Sequence, residues 1–284
     1  MTKKKITIVT DSSAYIPKSA QEGLDISVIP LWLIWDDDRF QDGVDIDPQT
    51  FYDRLKKSDT LPTSSQPSAK EFEIFFRQVA KECDAIVSVL VSSKISGTVD
   101  CAQTALAAIQ DFPIRIVDAF SSSMGLGFVV LAAARAAAAG EDLDGVVTAA
   151  EKMRDNVQLI FVVDTLEYLH RGGRITGAKR LLGTALRIKP ILEFRDGLIQ
   201  PLSQARTKGK AFELLLQITK ERLGGKRMAE AAIVDIDNPE DGEAIARLTK
   251  ERLGPNLIHR AEVSPVVGTH VGPGAIGIAF YPED

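Results

Sequence analysis

The chain has 284 residues, 45% of them hydrophobic and 26% charged, with a formal net charge of -5. These values suit one large or two medium globular domains and argue against general nucleic-acid binding, since the only basic run, Lys3-Lys4-Lys5, reads as a solvated terminus. No secretory h-region opens the chain, and the Ala-rich run Leu131 to Ala139 is interrupted by Arg135 and too short to span a bilayer, so a cytoplasmic protein without membrane insertion is expected.

In chain order, Ile6 to Val9 is a short β-branched run predicted as a strand, ending at the hydroxyl-rich Thr10-Asp11-Ser12-Ser13. Ile26 to Leu33 is a second predicted strand. Asp47-Pro48 starts a helix through Leu55, with Asp as N-cap and Pro in the first turn. Thr63-Ser64-Ser65-Gln66-Pro67-Ser68 is a second hydroxyl cluster. It leads into a helix with Phe72, Phe75, Phe76 and Val79 at helical spacing.

Ala85 to Val91 reads as a buried parallel strand, followed by Ser92-Ser93-Lys94-Ile95-Ser96-Gly97-Thr98 and a helix from Val99 to Ile109. A strand therefore delivers hydroxyls and a glycine to a helix N-terminus, where unpaired N–H groups favour an anion. Ser, Thr and Gly are also ordinary caps, so this cluster alone does not separate a site from a cap. Ile114 to Val117 repeats the device, ending at Asp118-Ala119-Phe120-Ser121-Ser122-Ser123. Repeated strand, polar turn and helix mark an open α/β sheet, whose ligands bind outside the carboxyl ends of the strands. Four hydroxyl clusters are expected along that one edge. Gly140 is expected to end the Ala-rich helix, and Asp142 to Asn156 supplies another.

Past Val157 the pattern changes. A strand at Leu159 to Val163 precedes a helix containing Leu166 and Leu169, then the Arg171-Gly172-Gly173-Arg174 turn. Ile188 to Phe194 and Leu198 to Leu202 flank Arg195-Asp196-Gly197, a hairpin signal. Helices around Phe212 to Leu223 and Gly242 to Leu253 alternate with strands at Ala231 to Ile236, Ala261 to Val267 and Ala275 to Phe280. A second α/β unit with a mixed sheet fits this order. The expected division is 1–157 and 158–284.

The candidate chemistry is sparse. Cys83 and Cys101 form no CxxC and no metal spacing; both fall in helical patterns and read as free thiols. His270 sits in the Gly268 to Gly277 stretch, predicted as a loop. Arg171 and Arg174 bracket two glycines, as an anion clamp, a docking loop or a solvated turn. The acidic stretch Asp36-Asp37-Asp38 through Asp42, Asp45 and Asp47 lacks EF-hand spacing and reads as a solvated loop. No phosphate loop, GxGxxG helix start, GxSxG elbow or HExxH is present. Ser96, His270 and Asp118 form a triad on paper only, which leaves a serine hydrolase open as an alternative, along with a phosphate- or nucleotide-binding enzyme.

Taken together, Thr10-Asp11-Ser12-Ser13, Asp42-Gly43-Val44-Asp45-Ile46, Ser65-Gln66-Pro67-Ser68, Ser92 to Thr98, Arg171 to Ile175, Lys189-Pro190-Ile191 and Gly274-Ala275-Ile276-Gly277 resemble, in order, the DegV family of bacterial fatty-acid-binding proteins. The resemblance implies two α/β domains, the first with an open parallel sheet and flanking helices, enclosing one long-chain fatty acid such as palmitate or oleate. It implies no catalytic residue, metal or cofactor. It maps the carboxylate donors to Ser64, Ser96, Gly97 and His270, with Thr63 and Ser122 as additional donors. The family's threonine position is Ser64 here, with Thr63 one residue earlier. In some bacteria such proteins present the acid to an ATP-dependent fatty-acid kinase, and Arg174 and Arg206 are the positions expected to dock it. A monomeric carrier is the resulting expectation.

Overall fold

The computed structural model describes residues 5–178 and 188–283; Lys3 and Lys4 of the basic run lie outside the described residues. In chain order the first half runs β1 (Ile6–Asp11), a single 3-10 turn over Ser12–Ala14, α1 (Lys18–Gln21), β2 (Ile26–Ile29), β3 (Trp32–Trp35), β4 (Asp38–Gln41), α2 (Pro48–Leu55), β5 (Thr63–Ser65), α3 (Ala69–Val79), β6 (Ala85–Leu90), α4 (Thr98–Leu106), β7 (Ile114–Asp118), α5 (Ser123–Ala139) and α6 (Leu143–Asn156). The second half runs β8 (Gln158–Val162), α7 (Glu167–Arg171), β9 (Lys189–Arg195), β10 (Leu198–Ala205), α8 (Lys208–Leu223), β11 (Met228–Asp235), α9 (Pro239–Leu253), β12 (Leu257–Glu262), α10 (Pro265–Val271) and β13 (Ile276–Pro282).

Strands β2-β1-β6-β7 form a parallel sheet in that order. Every residue of β1 and β6 is buried, because helices cover both faces; this is why both strands are apolar without alternation. One face packs on α3 and α4 through Phe72, Phe76, Val99 and Ala102, the other on α5 and α6 through Leu126, Val129, Val130 and Val146. The caps follow from the sequence. Asp47 accepts from Thr50 N at 2.7 Å with Pro48 in the first turn. Ser68 and Glu71 form a capping box at α3, and Gly140, at φ 93°, ends α5.

The second sheet has the order β10-β9-β8-β13-β11-β12 and is mixed as expected, with only β11 and β12 parallel. Asp196 (φ 53°) and Gly197 (φ 78°) turn the chain between β9 and β10 at the predicted hairpin. Helices α8 and α9 bury its outer face on Leu215, Ile218 and Ile245. On the inner face the strand register sets Phe161, Gly277, Val234 and Ala261 in one row and Leu159, Ala279 and Ala232 in the next. A third, antiparallel sheet, β4-β3-β5, completes the described strands.

A polar cluster ties α5 to the second sheet. Glu230 on β11 accepts from Arg135 Nη1 at 2.5 Å and Nη2 at 3.1 Å and from Tyr281 Oη at 2.7 Å, with His259 Nε2 at 3.0 Å. Burial pushes the Glu230 carboxyl up, but the hydrogen bonds from His259, Arg135 and Tyr281 outweigh it and hold the pKa down at about 2.

Four expectations need correction. The strand predicted over Ile26 to Leu33 is broken at Pro30 into β2 and β3, which belong to different sheets; proline has no N–H for a ladder. The strand predicted to Val267 stops at Glu262, because Ser264 accepts from Val267 N at 3.2 Å and Pro265 starts α10. The Thr63–Ser65 cluster lies on β5 of the antiparallel sheet, so three hydroxyl clusters, not four, end parallel strands. Cys83 lies in the turn before β6 rather than in a helix; Cys101 is on α4, and both are half-buried free thiols.

Candidate functional site

A cavity of about 900 Å³, part of it open to solvent, lies between the turns after β1, β6 and β7 and the inner face of the six-stranded sheet. Its two sides differ in chemistry. Ser13, Ser96, Ser122 and Ser123 come from the parallel-strand turns and Ser64, Ser65 and Gln66 from β5 and its end. The opposite wall is apolar: Leu159, Phe161, Phe194, Ile199, Val234 and Gly277 come from the sheet, joined by Val266, Val267 and Val271 of α10.

One polar pair on the wall joins residues 206 positions apart: Ser64 Oγ lies 2.6 Å from His270 Nε2. His270 is thus on a helix, α10, and not in the glycine-rich loop expected for it. Gly172 is packed so closely that a Cβ there would collide with His270 Nδ1, and this buried nitrogen has no hydrogen-bond partner among the described residues. Burial first, and the neighbouring Arg174 charge second, hold the His270 pKa down at about 3. The imidazole is therefore neutral at pH 7.

The other predicted donors divide. Ser96 lines the cavity, with its Oγ 2.7 Å from Thr98 Oγ1. Gly97, the N-cap of α4, stands behind Gln66: a Cβ there would lie 2.9 Å from Gln66 Nε2. Ser122 lines the cavity as the N-cap of α5, without a side-chain cap bond. Thr63 is exposed and is not on the cavity wall.

Sequence reasoning did not single out Ser13 or Ser123 as site residues. Ser13 donates to Asp11 Oδ1 at 2.5 Å. Ser123 adopts φ 48°, and its buried Oγ lacks a partner among the described residues. Their signal was position alone, two residues past the end of β1 for Ser13 and five past the end of β7 for Ser123.

The two arginines part company. Arg174 lines the cavity half-buried, donating from Nε to Ile95 O at 3.0 Å and from Nη1 to Gly172 O at 2.6 Å. Burial lowers its pKa. Arg206 is exposed beyond the end of β10, away from the cavity wall, and Arg171 pairs with Glu167 at 2.6 Å on the surface. The acidic stretch also divides: Asp36 to Asp38 are exposed, but Asp42 is only 2% exposed, so the solvated-loop reading fails there. Asp42 accepts from Ser12 Oγ at 2.6 Å, and burial pushes its carboxyl pKa up to about 7.

The triad written on paper does not assemble. Asp118 accepts from the amides of Ser93 and Phe120, while His270 meets Ser64 rather than Ser96. Among the described residues no group of three His, Cys, Asp or Glu side chains is placed to hold a metal ion. No helix among them is long and apolar enough to cross a membrane.

The sequence profile of the family described as "Uncharacterised protein, DegV family" matches residues 5–283. The chain belongs to the DegV family. A DegV domain-containing protein of Streptomyces coelicolor is 39% identical, over 97% of this chain and 98% of that protein. Protein DegV of Bacillus subtilis is 32% identical over 97% of this chain and 98% of its own length. Among solved structures, a DegV family protein of Thermus thermophilus, described by its fatty acid binding, superposes with a TM-score of 0.92 at 31% identity, covering 98% of this chain and 100% of that one. DegV of Bacillus subtilis, described as a fatty acid binding protein, gives 0.88 at 32% identity over 99% and 100%.

Proposed function

We propose that the cavity binds one long-chain fatty acid, such as palmitate or oleate, with the carboxylate among the serine-bearing turns and the acyl chain along the inner face of the six-stranded sheet. The divided wall carries this reading, because it offers hydrogen-bond donors on one side and unbroken apolar surface on the other. The two similar structures described by fatty acid binding support it. Removing a 16-carbon chain from water contributes on the order of 10 kcal/mol gross at about 0.8 kcal/mol per methylene, reduced by the cost of ordering. The carboxylate must keep hydrogen bonds, because an unpaired charge in a dry site is costly.

Ser64, Ser96, the Gly97 N–H and His270 are the donors in this reading, with Ser122 beside them. Thr63, exposed, has no part in it. His270 acts through Ser64: with its proton on Nε2 it donates to Ser64 Oγ and frees the serine hydrogen for the acid. Arg174 adds positive potential at the same end.

The protein is read as a non-catalytic carrier that presents the acid to an ATP-dependent kinase, with no cofactor and with exposed Arg206 on the docking side. Residues 1–157 and 158–284 form its two domains with the lipid site between them. It is taken as monomeric and cytoplasmic. Purified protein, denatured and extracted, should release fatty acid by mass spectrometry. Absence of any acid, with no binding of added palmitate or oleate, defeats the proposal.

One observation favours a serine hydrolase instead, namely the 2.6 Å Ser64–His270 pair. A histidine held at about pKa 3 is a poor base at neutral pH, and its Nδ1 has no orienting partner among the described residues. Fluorophosphonate labelling that disappears in Ser64→Ala would revive that reading.

A further inference from the structure

The apolar wall is built in rows across the sheet. Ala275, Ile236 and Val263 lie nearest α10 and its His270; Phe161, Gly277 and Val234 form the next row, and Leu159 belongs to the one beyond. All seven line the cavity. An acyl chain anchored at the Ser64–His270 pair and laid along this face meets the Gly277 row before the Leu159 row.

Gly277 is in the interior of β13, where glycine weakens a strand. Its backbone is outside the left-handed region, so conformation does not call for glycine. Space does. A Cβ at this position would lie 2.8 Å from Val234 Cγ2 and 3.0 Å from Phe161 Cβ. Those are its two cross-strand neighbours, and both border the cavity. A methyl group there would force Val234 and Phe161 apart or into the channel, in a core where one carbon is felt.

We propose that Gly277 is the length-determining residue of this cavity: the missing side chain leaves the passage through which the acyl tail reaches the Leu159 row. The proposal rests on the fatty-acid reading above. It assigns the ligand class more closely, as acids whose tails extend beyond the Phe161–Val234 row.

The test is a ladder of saturated acids from octanoate to stearate, titrated against the wild-type chain and Gly277→Ala. Wild-type affinity should climb roughly fourfold per methylene until the tail fills the cavity, then level off. In Gly277→Ala the short acids should keep their affinity within about twofold, with levelling at least two carbons earlier. Levelling at the same length as wild type, with or without a uniform loss, overturns the proposal, because a merely structural glycine would change stability and not the break point. Should Gly277→Ala fail to fold, Val234→Leu narrows the same row and carries the test. Its break point should move to shorter acids, and an unmoved break point overturns the proposal. Failure of the wild-type chain to bind any acid in the ladder would instead refute the fatty-acid reading itself.

Discussion

The four-stranded and six-stranded sheets border the same cavity, but one meets it with its strand ends and the other with a face. A parallel sheet covered by helices on both sides has no free face to offer. What remains is the row of turns at its carboxyl edge, where helix starts supply hydroxyls and open N–H groups. The mixed sheet carries α8 and α9 on its outer face; α5 packs over part of its inner face, and the rest of that face lines the cavity and supplies bulk without polarity. In the proposed function, headgroup recognition and chain recognition fall to different kinds of sheet surface, and can be altered separately.

The hardest break of that separation is a charge on the apolar wall. Leu159→Asp should abolish palmitate binding and cost about 3 kcal/mol or more of stability, read by denaturant unfolding, because the carboxylate would be buried without a partner. On the polar side, Ser64→Ala should weaken palmitate binding by roughly 10- to 100-fold, the worth of one hydrogen bond to a charged group. It should leave the unfolding midpoint nearly unchanged. His270→Ala should cost about as much, and the double variant little more, since the two side chains share one hydrogen bond. Isothermal titration with palmitate and its methyl ester checks this, the ester being insensitive to both changes. Arg174→Ala should lower acid affinity several-fold while Arg206→Ala leaves it unaltered. Equal behaviour of the two would return Arg174 to the surface role expected from sequence.

The smallest effect on binding is expected at Asp42, whose influence is on pH dependence. Its folded pKa, about 7, lies above the ordinary 3.8, so between those values the native state holds a proton the unfolded state has lost, and stability falls as pH rises. His270 has the opposite sign. Its folded value of about 3 lies below 6.5, so the unfolded state binds the extra proton and stability rises with pH across that window. The two slopes oppose each other between roughly pH 4 and 6.5. Asp42→Asn should therefore expose a steeper gain of stability with pH there; thermal unfolding across that range with an unchanged slope would contradict the assignment.

Much of this architecture is legible without coordinates. Apolar runs such as Ala85 to Val91 announce a doubly covered strand, and Asp47-Pro48 and Gly140 announce helix ends. The turn residues after β1, β6 and β7 could be placed on one edge for the same reason. The site's central contact could not be read, because nothing local to Ser64 or His270 records that they meet across 206 positions. Asp42 was misread because its neighbours are charged and exposed, whereas its own burial depends on Ser12 from a distant turn. His270 was misread because glycines suggest a loop, while Ser264-Pro265, four residues before them, already specify a helix start.

The tie between Arg135 and Glu230 has a mechanical meaning. Ser123 and Arg135 are twelve residues apart on α5, about 18 Å along its axis, so one end of the helix borders the cavity while the other is bolted to β11. On the proposed lipid-binding reading, that arrangement would act as a hinge pin at the back of a clam shell: a gape wide enough to admit a lipid should part the serine lips and leave the rear shut. Amide exchange in the ligand-free protein should accordingly run faster around β5 and α10 than around Glu230, and filling the shell should slow the lips most.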